Sequence, residues 1–146
     1  LKKAALASLE GGDPIWFGSD VLAQSMRKEG ILASGIIRSN ELFSLKYTMT
    51  KSERLTYRSS FCNHAMTLTG VNVLDDKTTD RWKVENSWGK DNGFSGYFIM
   101  SDKWFDDYVY EIFVKREYVN EETLKKYDAS TLKEQSVFNT LWAMMK

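Results

Sequence analysis

The sequence has one cysteine (Cys62), one histidine (His64) and one proline (Pro14) in 146 residues. A single cysteine excludes an internal disulfide and fits a reducing compartment. Zinc sites draw about three or four N, S or O ligands, commonly from His and Cys, and one of each argues against a structural zinc site. One proline argues against long stiff linkers. Twenty basic and twenty acidic side chains cancel, so composition gives no reason to expect nucleic acid or an anionic membrane as a partner. No apolar run approaches the length of a membrane span. The N-terminal "LKKAALASLE" lacks the apolar segment and cleavage site of a signal peptide. The chain begins without Met, which fits a piece of a longer chain.

What is abundant is aromatic surface. Phe, Trp and Tyr make up 14% of the residues, with five Trp, and such side chains carry large buried area. Residues 1–10 read as a helix stopped by Gly11-Gly12. "DPIWFGSDV" reads as a short buried strand, 21–29 as a short helix or turn, and Gly30 to Lys51 as irregular connection. Thr50 with Glu53 three residues on is a capping-box pattern. "HAMTLTGVNVL" and "RWKVEN" alternate like strands around the turn cluster "DDKTTD", which predicts a hairpin. "GYFIMS" and "YVYEIFVKREYV" supply two further strands, and 121–127 and 131–145 read as helices.

The stretch "WKVENSWGKDNGFSGYFIM" ends a strand on Asn86 and follows it with Ser87, Trp88 and Gly89. His64 opens the partner strand, so a hairpin brings the two to one end of the sheet. Counting from the turn, Asp75 to His64 is eleven steps and Asp80 to Asn86 six. A bulge, a longer loop or a bent strand must absorb the difference. The Asn86 amide oxygen then accepts the proton on one ring nitrogen of His64, leaving the other free as a base. Trp88 covers that bond and excludes water, and Gly89 and Gly93 let the backbone turn beside the indole. Singly, each residue has a plainer reading: a surface histidine, a turn-forming asparagine, a core tryptophan.

The ordered set "NHAMTLTGV" and "WKVENSWGKDNGFSGYFIMS" resembles the His and Asn motifs of papain-like cysteine peptidases, in particular the bleomycin hydrolase and bacterial aminopeptidase C family. With "IWFGSDV", "KSERLTY" and "SDKWFDDYVYEIFVKREYV" the resemblance spans about residues 1–127, leaving 128–146 as a divergent helix or tail. It implies an α+β fold: an antiparallel β-barrel-like lobe with peripheral helices, one half of a two-lobed peptidase. It implies Cys-His-Asn chemistry on peptide substrates in the cytosol, with no cofactor and no metal. His64 is then the base, Asn86 its orienter, and Trp88 the shield bordering the leaving-group side of the cleft. It also implies a homo-oligomer, a hexamer in the family.

Nothing before His64 resembles the family's nucleophile motif, which lies well upstream with an oxyanion-hole Gln. Cys62, two residues from His64 on an extended strand, is placed on the same face, but it has no helix N-terminus to activate its thiol. The expectation is a C-terminal part that carries the base and its orienter, lacks the nucleophile-bearing lobe and is inactive alone. The face that meets the absent lobe is expected to be apolar and exposed. The family's C-terminal tail departs here to "SVFNTLWAMMK", where Trp142 is the one match and Lys146 offsets the carboxylate. That leaves aminopeptidase against endopeptidase action open. The alternative is a non-catalytic fragment or a partner-binding β domain.

Overall fold

Period-two apolar patterning puts the large side chains of a strand on one face of its sheet, and here that face is the core. The computed structural model describes residues 1–45 and 48–129. Among the described residues, seven strands form one sheet: β1 (Ile15–Ser19), β2 (Ser25–Met26), β3 (Ile31–Leu32), β4 (His64–Val73), β5 (Thr79–Glu85), β6 (Tyr97–Ser101) and β7 (Val109–Phe113). Their spatial order is β2-β3-β6-β5-β4-β1-β7. The helices are α1 (Lys2–Glu10), α2 (Ser39–Leu42), α3 (Lys51–Thr56), α4 (Asp102–Tyr108) and α5 (Glu121–Ala129), with a 3-10 turn at Arg116–Tyr118. The architecture is α+β. One pair, β3 with β6, runs parallel, so the expected antiparallel lobe is a mixed sheet.

Phe17 on β1, Leu68 on β4, Trp82 and Val84 on β5 and Phe98 on β6 are buried on the inner face, with Trp104 and Phe105 of α4 laid over it. Trp82 and Phe105 pack with ring centroids 4.8 Å apart. Each fully buried apolar side chain of this size contributes about 1.5–3 kcal/mol. On the outer face, Trp16 and Phe113 pair across β1 and β7 and stand 65% and 64% exposed.

The β4–β5 hairpin explains the register. Its turn closes at Leu74 N to Thr78 O, 2.9 Å, so β5 pairs from Thr79, one residue before Asp80. Two bulges, one at Thr69 on β4 and one at Asp80 on β5, cancel each other. The ladder ends with Thr67 opposite Glu85; one step further puts Met66 opposite Asn86. His64 is therefore two residues along the same face, a diagonal neighbour, and not five residues out of step.

Three expectations are corrected. The strand read over 108–119 is only Val109–Phe113, followed by the 3-10 turn. The segment before it, read without helix, is α4: the Ser101 hydroxyl accepts from Trp104 N at 3.2 Å as its N-cap, and Asp102 opens the first turn. The connection from Gly30 to Lys51, read as irregular, contains β3 and α2, while 21–29 is turns with β2. The Thr50 capping box forms, with Thr50 N donating to Glu53 Oε2 at 2.7 Å and Glu53 N donating to Thr50 Oγ1 at 3.2 Å. The helix expected at 131–145 and the match at Trp142 lie outside the described residues.

Candidate active site

His64 is the first residue of β4 and Asn86 the first after β5, both on the core-facing side of the sheet. The His64 ring is half-buried, and its Nε2 lies 2.9 Å from Asn86 Oδ1. Asn86 is 8% exposed. The Ser87 backbone N–H also donates to Asn86 Oδ1, at 2.8 Å. A backbone N–H can only donate, so the atom it meets is the amide oxygen. The same oxygen faces His64, so Nε2 carries the proton in the neutral ring and Nδ1 is left unprotonated. One amide oxygen held by two donors thus fixes both the tautomer and the ring's orientation.

Trp88 stacks on the imidazole with ring centroids 4.7 Å apart and planes inclined by 30°. It also meets the buried Phe98 ring, edge-on at 5.9 Å. The indole is thus wedged between the core and the histidine, on one flank of the His64–Asn86 bond. The loop that carries it is tied by Asn92 Nδ2 donating to Trp88 O at 2.7 Å, and by Asn86 N donating to Gly96 O at 3.0 Å. Gly89 and Gly93 take φ of +83° and +61°. A Cβ at Gly93 would also sit 2.5 Å from Tyr97 O, so this turn needs glycine there.

Chemically, an imidazole with Nε2–H held and Nδ1 free accepts a proton from a thiol or water at Nδ1 and returns it to a leaving amine. The positive charge that forms is stabilised at Nε2 by the amide oxygen. The imidazole and amide expected as base and orienter lie together.

Cys62 is not part of this group. Its Sγ–H donates to Glu111 Oε1 at 3.5 Å and lies against Gly18. Gly18 pairs with Ala65 and Glu111, on the face of the sheet opposite the one Ser19 shares with His64. The same-face placement expected from the two-residue spacing fails because residues 61–63 precede β4 and are not strand. Burial first, and then the Glu111 carboxylate, push the thiol up to about 11. That is the reverse of nucleophile activation.

The Ser87 amide and the Phe98 backing of Trp88 were not found by sequence reasoning. A backbone N–H has no residue signature, and Phe98 carries only its strand alternation as a signal. Among the described residues, no group of three or more His, Cys, Asp or Glu could hold a metal ion. No helix among them is long and apolar enough to cross a membrane.

The chain is 41% identical over 128 residues to aminopeptidase C of Lactobacillus helveticus, covering 88% of this chain and 28% of that protein. Against aminopeptidase C of Listeria monocytogenes it is 43% identical, covering 88% of this chain and 29% of the relative. The solved structure of PepW from Lactobacillus rhamnosis HN001 superposes with a TM-score of 0.80 at 44% identity, over 88% of this chain and 29% of that one. The chain thus spans less than a third of the length of these relatives, and the likeness is to the C-terminal part of bacterial aminopeptidase C. With a family match that runs from residue 1 to 145, the chain belongs to the Peptidase C1-like family, whose fold is papain-like.

Proposed function

We propose that this chain carries the general base and its orienting amide for a cysteine-type aminopeptidase. His64 takes the proton of a thiol nucleophile and delivers it to the leaving amine. Asn86 holds the ring, and Trp88 shields the bond between them. The observation that carries this reading is the 2.9 Å contact of His64 Nε2 with the buried Asn86 oxygen beneath the stacked indole. The nucleophile comes from the part of the enzyme that this chain does not span, since Cys62 faces away with a raised pKa. The chain alone is accordingly inactive.

The reading extends to domain organisation and partners. Residues 1–127 form the β lobe and 128–146 a divergent tail. The exposed Trp16–Phe113 pair on the outer face is the apolar surface that an opposing lobe covers. The substrates are peptides, cleaved at their N-termini as the names of the aminopeptidase C relatives suggest. The enzyme is cytoplasmic and assembles from identical subunits.

The test is reconstitution. The chain is combined with the nucleophile-bearing part of an aminopeptidase C relative and assayed on aminoacyl amides under reducing conditions. Hydrolysis that His64→Ala abolishes and Cys62→Ala leaves intact supports the proposal. An inactive but assembled pair supports the alternative, a non-catalytic β domain. Cleavage of N-terminally blocked peptides instead of free ones would assign endopeptidase action.

A further inference from the structure

Asp20 follows β1 directly and is 6% exposed. The chemistry assigned to His64, Asn86 and Trp88 makes no use of it. The carboxylate accepts from the Ser60 hydroxyl at 2.6 Å, from Asn63 Nδ2 at 2.5 Å and from Leu22 N at 3.3 Å. Asn63 is the residue immediately before His64. Its Oδ1 accepts from Val21 N at 3.0 Å, and its own N–H donates to Ser19 O at 3.0 Å. Every polar group of Asn63 named here is therefore spent on the three residues Ser19, Asp20 and Val21.

The consequence is local to His64. Ser19 pairs with His64 as the last step of the β1–β4 ladder, and the end of a ladder opens at little cost. The chain approaches that step through residues 57–63, which form turns and no strand. Ser60 and Asn63 fasten this approach to one carboxylate. Ser60 also shares a hydrogen bond with the Tyr110 hydroxyl on β7, and Asp20 N donates to Tyr108 O at 3.1 Å. The ends of β1, β4 and β7 thus meet at Asp20, on the rim of the sheet where the imidazole projects.

We propose that Asp20 is a positioning residue for His64: through Asn63 and Ser60 it fixes where β4 begins, and so holds Nε2 on Asn86 and Nδ1 toward the nucleophile. The catalytic consequence rests on the reading of His64 as the base. The structural claim does not. A buried carboxylate facing only donors is selective, because an amide in its place turns an N–H toward one of them.

The test uses Asp20→Asn, Asn63→Asp, the double variant and the milder Ser60→Ala. In the double variant the amide introduced at position 20 donates to the carboxylate introduced at position 63. The second oxygen of that carboxylate still accepts from Val21 N, so the pair is restored with its polarity reversed, and only the longer contact from Leu22 N, 3.3 Å, is given up. The first readout is NMR of the one histidine in the 146-residue chain, followed by solvent exchange of its Nε2 proton. Each single variant should speed that exchange and split or broaden the ring signals, and the double should restore them. In the reconstituted enzyme, kcat should fall about 10- to 100-fold with KM unchanged, the size expected for a misplaced base, and the double should recover it. Single variants that fold and leave ring signals and kcat at wild-type values overturn the proposal, as does a folded double no better than the singles. If both single variants unfold, Ser60→Ala and the double decide by the same criteria. Ring signals that respond while the reconstituted wild type hydrolyses nothing would keep the positioning claim and sink the peptidase reading.

Discussion

The rings of His64 and Trp88 lie face to face, 4.7 Å apart, and the indole rests in turn on Phe98. A hydrogen bond shielded from water on one flank is stronger and exchanges more slowly than an open one. Trp88→Ala opens that flank. We expect the His64 Nε2 proton to exchange with solvent at least about tenfold faster, and the fold to lose about 2–3 kcal/mol, less than the cost of a fully buried Trp because this one is half-buried. Trp88→Phe keeps a ring over the imidazole and should keep most of the protection. NMR exchange and urea unfolding separate the two effects; an unchanged exchange rate in Trp88→Ala would remove the shielding role.

Asn86 offers an unusual dissociation of stability from activity. Its oxygen takes two donors, but its Nδ2 is buried without a hydrogen-bond partner among the described residues. Asn86→Ala deletes two hydrogen bonds and also an unpaired donor, so the net loss of stability should be small, about 1 kcal/mol. The reconstituted enzyme should nevertheless lose kcat by roughly 100-fold, because no acceptor then fixes the tautomer and the in-plane orientation of the ring. An activity loss no larger than the loss of folded protein would mean that the amide holds structure and orients nothing.

These relationships were legible to different degrees in the amino-acid order. The hairpin, the stop at Gly11-Gly12 and the Thr50 capping box follow from local period and turn chemistry, and the hairpin alone brings His64 beside Asn86. Helix α4 was hidden because "WFDDYVYEIF" is rich in aromatics that favour strands; packing of Phe105 on Trp82 decides the matter. The parallel β3–β6 pair rests on a strand of two residues, too short to show a period. Asp20 and Asn63 are 43 residues apart, and nothing local to either announces the other. The face that Cys62 takes was misread because a two-residue spacing fixes a side only inside a strand.

Asp102 ties three elements together from the first turn of α4. Lys2 Nζ of α1 donates to Oδ2 at 2.6 Å, Trp82 Nε1 of β5 donates to Oδ1 at 3.1 Å, and the Thr79 hydroxyl joins them. Burial alone would raise its carboxyl, but the hydrogen bonds from Lys2, Thr79 and Trp82 hold it below its ordinary value of 3.8. The folded state therefore prefers the ionised form. Its stabilisation is complete above the unfolded value and is lost as pH falls through the lower folded one. Asp102→Ala should cost about 2 kcal/mol at neutral pH by stranding these donors. Urea midpoints followed down to about pH 2 should converge for wild type and variant in the acid limb. A constant gap across that range would show that the charge is not what stabilises.

Cys62 tests the boundary of the site from outside. Burial, then the Glu111 carboxylate, raise its thiol from 9.0 to about 11. The folded protein therefore keeps the thiol proton where the unfolded chain has released it. The contribution to stability is complete below the unfolded value and falls as pH rises toward the folded one. Other alkaline groups are also shifted by burial, Lys51 downward and Tyr110 upward, so the measurement is the difference between wild type and Cys62→Ala. The variant should lose stability less steeply between about pH 9 and pH 11. At pH near neutral the thiol should alkylate more slowly than a free cysteine, and His64→Ala should leave that rate unchanged, because the sulfur and the imidazole occupy opposite faces of the sheet. A rate that drops when the imidazole is removed would mean that the ring activates this thiol. In that case the nucleophile would lie within the chain, and the division of the active site between two parts of a longer enzyme would be wrong.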